Sequence, residues 1–194
     1  MAIVNINDEF GNIWKNEWEK GIQSDKLIET FSFEKTATDY KTDALKIKTF
    51  KPDVVVVLGY GPALNQVFTD LSLQGVNVPY LTYLACTLPG VIGDKRFDLN
   101  GNFSYEYPDY QNTEVKAWIT KNGGANNTFY GLAFENTLTA LTASKATKGD
   151  SLKALSYLKS TQTAGVYGDI LFNQNNVVER DLVLTKIENG KCVR

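Results

Sequence analysis

"KPDVVVVLGYGPALNQ", Lys51 to Gln66, is the stretch whose reading decides the fold. Val54 to Val57 and Leu58 make an unbroken β-branched and aliphatic run, the pattern of a strand covered on both faces. Pro62 suits a first helical turn and opens a helix that runs to about Gln74, with Gly75 as its stop. A buried strand that passes through a short glycine turn straight into a helix is the repeating element of parallel α/β sheets. Between the two stands Tyr60, with three roles open to it: holding a nucleotide, touching another small molecule, or packing.

The same alternation extends on both sides. "AIVNI" (Ala2 to Ile6) is a short apolar run, and Ile13, Trp14, Trp18 and Ile22 follow near helical spacing. "KLIETFSF" (Lys26 to Phe33) alternates as a half-exposed strand does, and Asp39 to Phe50 carries a helical pattern that Pro52 ends. "VPYLTYL" and "GNFSYEY" supply two more strands. Strands alternating with helices over the first 110 or so residues imply an α/β fold: a Rossmann-like open parallel sheet with helices on both faces. After Pro108 the pattern changes to three successive helices, Thr113–Lys121, Phe129–Ala146 and Asp150–Ser160, with "NGGANN" as a loop. The closing "YGDILFNQNNVVERDLVLTKIENGK" reads as two strands joined by an Asn-rich turn.

Composition excludes several functions. The chain has 194 residues, 43% hydrophobic and 22% charged, enough for one α/β domain or one and a part. A formal net charge of −2, without a run of like charges, removes the electrostatic footprint of a nucleic-acid binder. The longest wholly apolar run, Val54 to Leu58, is far short of the roughly 20 residues that span a bilayer. Met1 to Asp8 lacks the features of a signal peptide, so the chain as given is expected to be soluble, with no targeting segment of its own. The absence of histidine excludes Ser-His-Asp and Cys-His arrangements and any His-containing metal site. Asp8 and Glu9 precede a helix and are expected to cap it rather than act as an acid/base pair. The two cysteines, Cys86 and Cys192, are expected as free, partly buried thiols, and no sequence neighbour of Cys86 supplies the base that a nucleophile needs. No enzyme, cofactor or metal is expected.

"LGYGPA" falls short of a dinucleotide-binding turn: its third glycine is absent, and the next strand does not end in the acid that would bind a ribose. Open parallel sheets nevertheless bind ligands beyond the carboxyl ends of their strands, and Tyr60, "NDEFGN" and "YLACT" all lie at such ends.

The order of elements resembles the type I periplasmic binding proteins, the branched-chain amino-acid receptor group of ABC importers. "AIVNINDEFGNIWKNEWEKGI" is similar to the strand, Asp-x-aromatic-Gly loop and helix that begin that family's second lobe. "TDYKTDALKIKTFKPDVVVVLGYGPALNQVFTDLSLQGVNVPYL" resembles its next stretch, and "YGDILFNQNNVVERDLVLTKIENGK" its closing hairpin. The resemblance implies two Rossmann-like lobes with a ligand between them, of which this chain carries the portion from the second lobe onward. Residues 1–112 and 165–194 would form the ligand-binding lobe, and 113–164 the helices that complete an absent first lobe.

It also implies a site. Phe10 and Tyr60, with Gly61 in the Gly-Tyr turn, fall where the family's aromatic residues face the ligand, and Tyr83, Leu84 and Cys86 fall after the fourth strand. Amino-acid-binding members carry an acid near Leu84, absent here, so free leucine, isoleucine and valine are not expected to bind tightly. The expected partners are a small amino-acid-like or less polar carboxylate ligand and an ABC permease, in the periplasm or outside the cell. A ligand-sensing domain of the same fold, or a small flavodoxin-like enzyme, is the alternative. The apolar helix Phe129–Ala146, which the absent first lobe would cover, is expected to be left partly open and to draw two copies of this fragment into a homodimer.

Overall fold

A computed structural model describes residues 1–22, 28–88, 90–122 and 128–194, so Lys26, Leu27 and most of "NGGANN" lie outside the described residues. The chain divides into two compact units, Met1–Glu106 with Val183–Arg194, and Tyr107–Leu182.

The first unit is built on a seven-stranded sheet. In chain order its elements are β1 (Ala2–Ile6), α1 (Glu9–Gly21), β2 (Glu29–Phe33), α2 (Lys41–Phe50), β3 (Val55–Leu58), α3 (Gly61–Leu73), β4 (Tyr80–Tyr83) and β5 (Phe103–Glu106). These five strands pair in parallel in the order β2-β1-β3-β4-β5; helices separate the first four, as the α/β reading expects, whereas no helix is described between β4 and β5. β1 and β3 are buried at every position, because both of their faces are covered. β2, at the sheet edge, alternates instead. Apolar side chains of α3, among them Leu64, Val67, Phe68 and Leu71, pack into the main core with Val4, Val55 and Val57.

Local chemistry sets the element ends. The Asp8 carboxylate accepts from the Gly11 N–H at 2.9 Å and caps α1, as expected. Lys51, at φ 52°, ends α2 just before Pro52. The buried Asp70 of α3 accepts from the Tyr40 N–H (2.8 Å) and from Gln66 Nε2 (3.0 Å), tying α3 to the start of α2.

The second unit holds α4 (Thr113–Lys121), α5 (Thr128–Ala146), α6 (Ser151–Ser160), β6 (Thr163–Ala164) and β7 (Asp169–Ile170). It is wider than the 113–164 helical segment, taking in 107–112 and the chain to Leu182. Its small core gathers Tyr110, Val115, Ile119, Val166 and Tyr167. Glu135 of α5 is buried there, paired with Arg180 at 2.6 Å and accepting from the Val166 N–H, also at 2.6 Å.

The closing segment differs from the single hairpin expected. The Asn-rich turn is present, with Asn173 Oδ1 accepting from the Asn175 and Val177 amides, but it joins only the isolated bridge of Phe172 with Val178. β7 pairs with β6, whereas β8 (Val183–Glu188) runs antiparallel to β5 and pairs with β9 (Lys191–Val193). Both strands are present, but each pairs with another segment: β7 with β6 just before it, and β8 with β9 just after it and with β5 far back in the chain, a partner on which local turn chemistry has no say.

Candidate functional site

The carboxyl ends of β1, β2 and β3 lie side by side, since Ile6 is in register with Phe33 and Asn5 with Leu58. Two residues past each strand come Asp8, Lys35 and Tyr60, and these three meet. The Tyr60 hydroxyl donates to the second oxygen of the Asp8 carboxylate. Lys35 Nζ stands 5.4 Å from the centre of the Tyr60 ring, within cation–π range. Burial pushes the Asp8 carboxyl up, but the Gly11 amide, the Tyr60 hydroxyl and Lys35 together hold it below its usual value. The same hydrogen bond, with burial and the carboxylate's charge, raises the Tyr60 phenol.

The two glycines that flank Tyr60 serve different ends. A Cβ at Gly59 would come within 2.6 Å of the Phe33 ring, so the first is required by space. Gly61 has open space around it and φ +71°, so the second is required by its dihedral. Together they turn β3 into α3 while leaving Tyr60 half exposed.

Four half-buried rings gather here. Phe10 of α1 meets Tyr60 edge to face at 5.6 Å and Tyr83, the last residue of β4, at 6.1 Å. Trp14, one helical turn beyond Phe10, lies 4.7 Å from Tyr83. None of these pairs is stacked in parallel, and each ring is only half buried. Among the sequence-derived candidates, Phe10, Tyr60 and Tyr83 are brought together. Trp14 and Lys35 join them without having been singled out. Trp14 was readable from its four-residue spacing to Phe10 on one helix face, and Lys35 from its place just past a strand's carboxyl end.

Leu84 and Cys86 take other roles. Leu84 is only 3% exposed and adopts φ 55°, so its side chain belongs to the interior and its backbone turns the chain out of β4. Cys86 and Cys192 form a disulfide with Cα atoms 6.0 Å apart, which corrects the expectation of free thiols. Sequence separation conceals this contact; β5, β8 and β9 pair side by side and carry Cys192 back to the loop after β4. The bonded sulfurs offer no thiolate to a nucleophilic step.

That loop is also held by Glu106, at the carboxyl end of β5. Its carboxylate accepts from Ser104 Oγ (2.7 Å), the Cys86 amide (3.0 Å) and Thr87 Oγ1 (3.1 Å), while Ser104 Oγ accepts from the Ala85 amide (3.0 Å). Burial pushes the Glu106 carboxyl up despite these hydrogen bonds. Its oxygen and the two sulfurs lie within 4.8 Å of one another, but pairing of the cysteines removes the thiolates a metal would need. A cavity of about 360 Å³ lies elsewhere, at the amino ends of β4 and β5, where Asn102 Oδ1 accepts from the Tyr80 amide.

No protein-family model matches the sequence, and no curated protein matches it. Its fold is nevertheless that of type I periplasmic binding proteins. A leucine-binding protein of Thermotoga maritima superimposes with TM-score 0.80 at 18% identity, covering 99% of this chain and 59% of its own. An ABC transporter solute-binding protein of R. palustris, in complex with benzoate, gives TM-score 0.82 at 15% identity, over 99% of this chain and 56% of its own. A branched-chain amino-acid transporter substrate-binding protein of Streptococcus pneumoniae, in complex with isoleucine, gives 0.79 at 14%, over 98% and 57%. The chain thus spans under three fifths of the length of these proteins. Among the described residues, no helix is long and apolar enough to cross a membrane.

Proposed function

We propose that the chain forms part of the solute-binding component of an ABC importer and supplies one wall of its ligand site from the strand ends of the first unit. The observation that carries this reading is the cluster of Phe10, Trp14, Tyr60 and Tyr83, half buried at the carboxyl ends of β1, β3 and β4, where sheets of this kind present ligands. Leu84, Cys86 and Gly61 shape the turns that hold these rings. The role is binding rather than catalysis, and the neighbours of like fold are solute-binding proteins. A disulfide favours an oxidising compartment, in keeping with the periplasm or the cell exterior.

An ABC permease is the partner this reading assigns. Where the chain stands without a first lobe to cover it, the exposed apolar surface of α5, with Phe129, Tyr130 and Leu141, would meet a second copy of the chain. Calorimetric titration of the full-length protein with amino acids and small carboxylates tests the site. Phe10→Ala and Tyr60→Ala should each weaken the bound solute at least about tenfold, or about 1.4 kcal/mol. Unchanged affinity in both variants sinks the reading. Leucine, isoleucine and valine should bind only weakly, because no acid stands at Leu84 to pair with an ammonium group.

A further inference from the structure

We propose that Lys35 anchors the carboxylate of an anionic, ring-bearing solute in the aromatic site; this rests on the binding role proposed above. Lys35 follows β2 at the same end of the sheet as Asp8 after β1 and Tyr60 after β3, so the parallel register delivers a cation to the rim of the ring cluster. Among the described residues Lys35 has no carboxylate within 4 Å, in contrast to Lys20, Lys41 and Lys46, and acts on the Asp8 charge only from a distance. Its ammonium group has three donors, and the face of Tyr60 takes none of them as a full hydrogen bond.

The nearby acids are turned toward other donors. Asp8 accepts from the Gly11 amide with one oxygen and from the Tyr60 hydroxyl with the other, and Glu34 accepts from Asn7 Nδ2 with one oxygen at 2.7 Å. An incoming cation placed over the Tyr60 ring would meet Lys35 itself as a like charge. An incoming carboxylate would find a donor of opposite charge, and an apolar ring attached to it would find the edges and faces of Phe10, Trp14 and Tyr83. The four rings set the shape the site accepts, and Lys35 sets the sign of the charge.

Three probes that share one ring separate these contributions: phenylacetate, neutral phenylacetamide and cationic phenethylamine. Titrated by calorimetry into the full-length protein, phenylacetate should bind at least about tenfold tighter than the amide, with the amine weakest. Lys35→Gln should remove the preference for acid over amide, and Lys35→Arg should keep it. The preference should also shrink as salt screens the pair. If the amide or the amine binds as tightly as the acid, or if Lys35→Gln keeps the preference, the role of Lys35 falls while the ring site stands. If none of the three binds, the ring site falls with it.

Discussion

Helices α3 and α5 are both rich in apolar residues, yet they spend them differently. α3 buries Ala63, Leu64, Val67, Phe68 and Leu71 in the sheet core of the first unit. α5 buries Thr128, Gly131, Glu135 and Ala143, and leaves Phe129, Tyr130, Leu138 and Leu141 exposed. The reason is the surface each helix meets. A sheet offers a broad apolar face that accepts large side chains, whereas α5 lies against Tyr110 and Tyr167 so closely that a Cβ at Gly131 would come within 2.2 Å of the Tyr167 hydroxyl. Apolar content alone does not say which face of a helix turns inward; the size of what it packs against does.

The largest effect expected belongs to the first unit. Replacing both Cys86 and Cys192 by alanine opens a link across 106 residues and should cost about 4–5 kcal/mol by the chain-entropy account. Chemical denaturation under non-reducing conditions measures it, and a loss below about 1 kcal/mol would show that the sheet holds β9 without the bond.

In the second unit the comparable contact is polar. Glu135→Ala leaves Arg180 and the Val166 amide unpartnered in a small core and should destabilise that unit by about 3 kcal/mol. A variant as stable as the parent would mean that the unit is held by its apolar contacts after all.

Glu106 gives a pH signature to the first unit. Its carboxyl is raised above the usual 4.5 by burial, so the folded state holds its proton more tightly than the unfolded chain does. Stability from this group is fully present below about 4.5 and declines as pH rises through the folded value. Glu106→Gln should flatten that decline in denaturation midpoints recorded from pH 4 to 7, and an unchanged slope would assign the dependence elsewhere.

The smallest effect sharpens the contrast with α3. Leu141→Glu, at a position 63% exposed, should change stability by no more than about 0.5 kcal/mol while weakening self-association in sedimentation at micromolar concentration. A monomeric parent would remove the proposed contact between copies.

The positions that make up the candidate site were partly legible because strand ends are legible. A run such as Val54 to Leu58 followed by Gly-Tyr-Gly-Pro places Tyr60 at a carboxyl end by local pattern alone, and Phe10 follows β1 in the same way. Hydrophobic period and turn chemistry are properties of a few neighbouring residues, so the five parallel strands, their helices and the capping role of Asp8 were determined by the sequence itself. Only the tertiary structure decided which residues meet across the sheet. The bond between Cys86 and Cys192, the hold of Glu106 on the loop after β4, the pairing of β8 with β5 and the place of Lys35 over Tyr60 all join segments far apart in the chain. The same is true of α5, where Glu135 went inward and Leu141 outward: its composition permitted either face, and the tyrosines packed against Gly131 chose one.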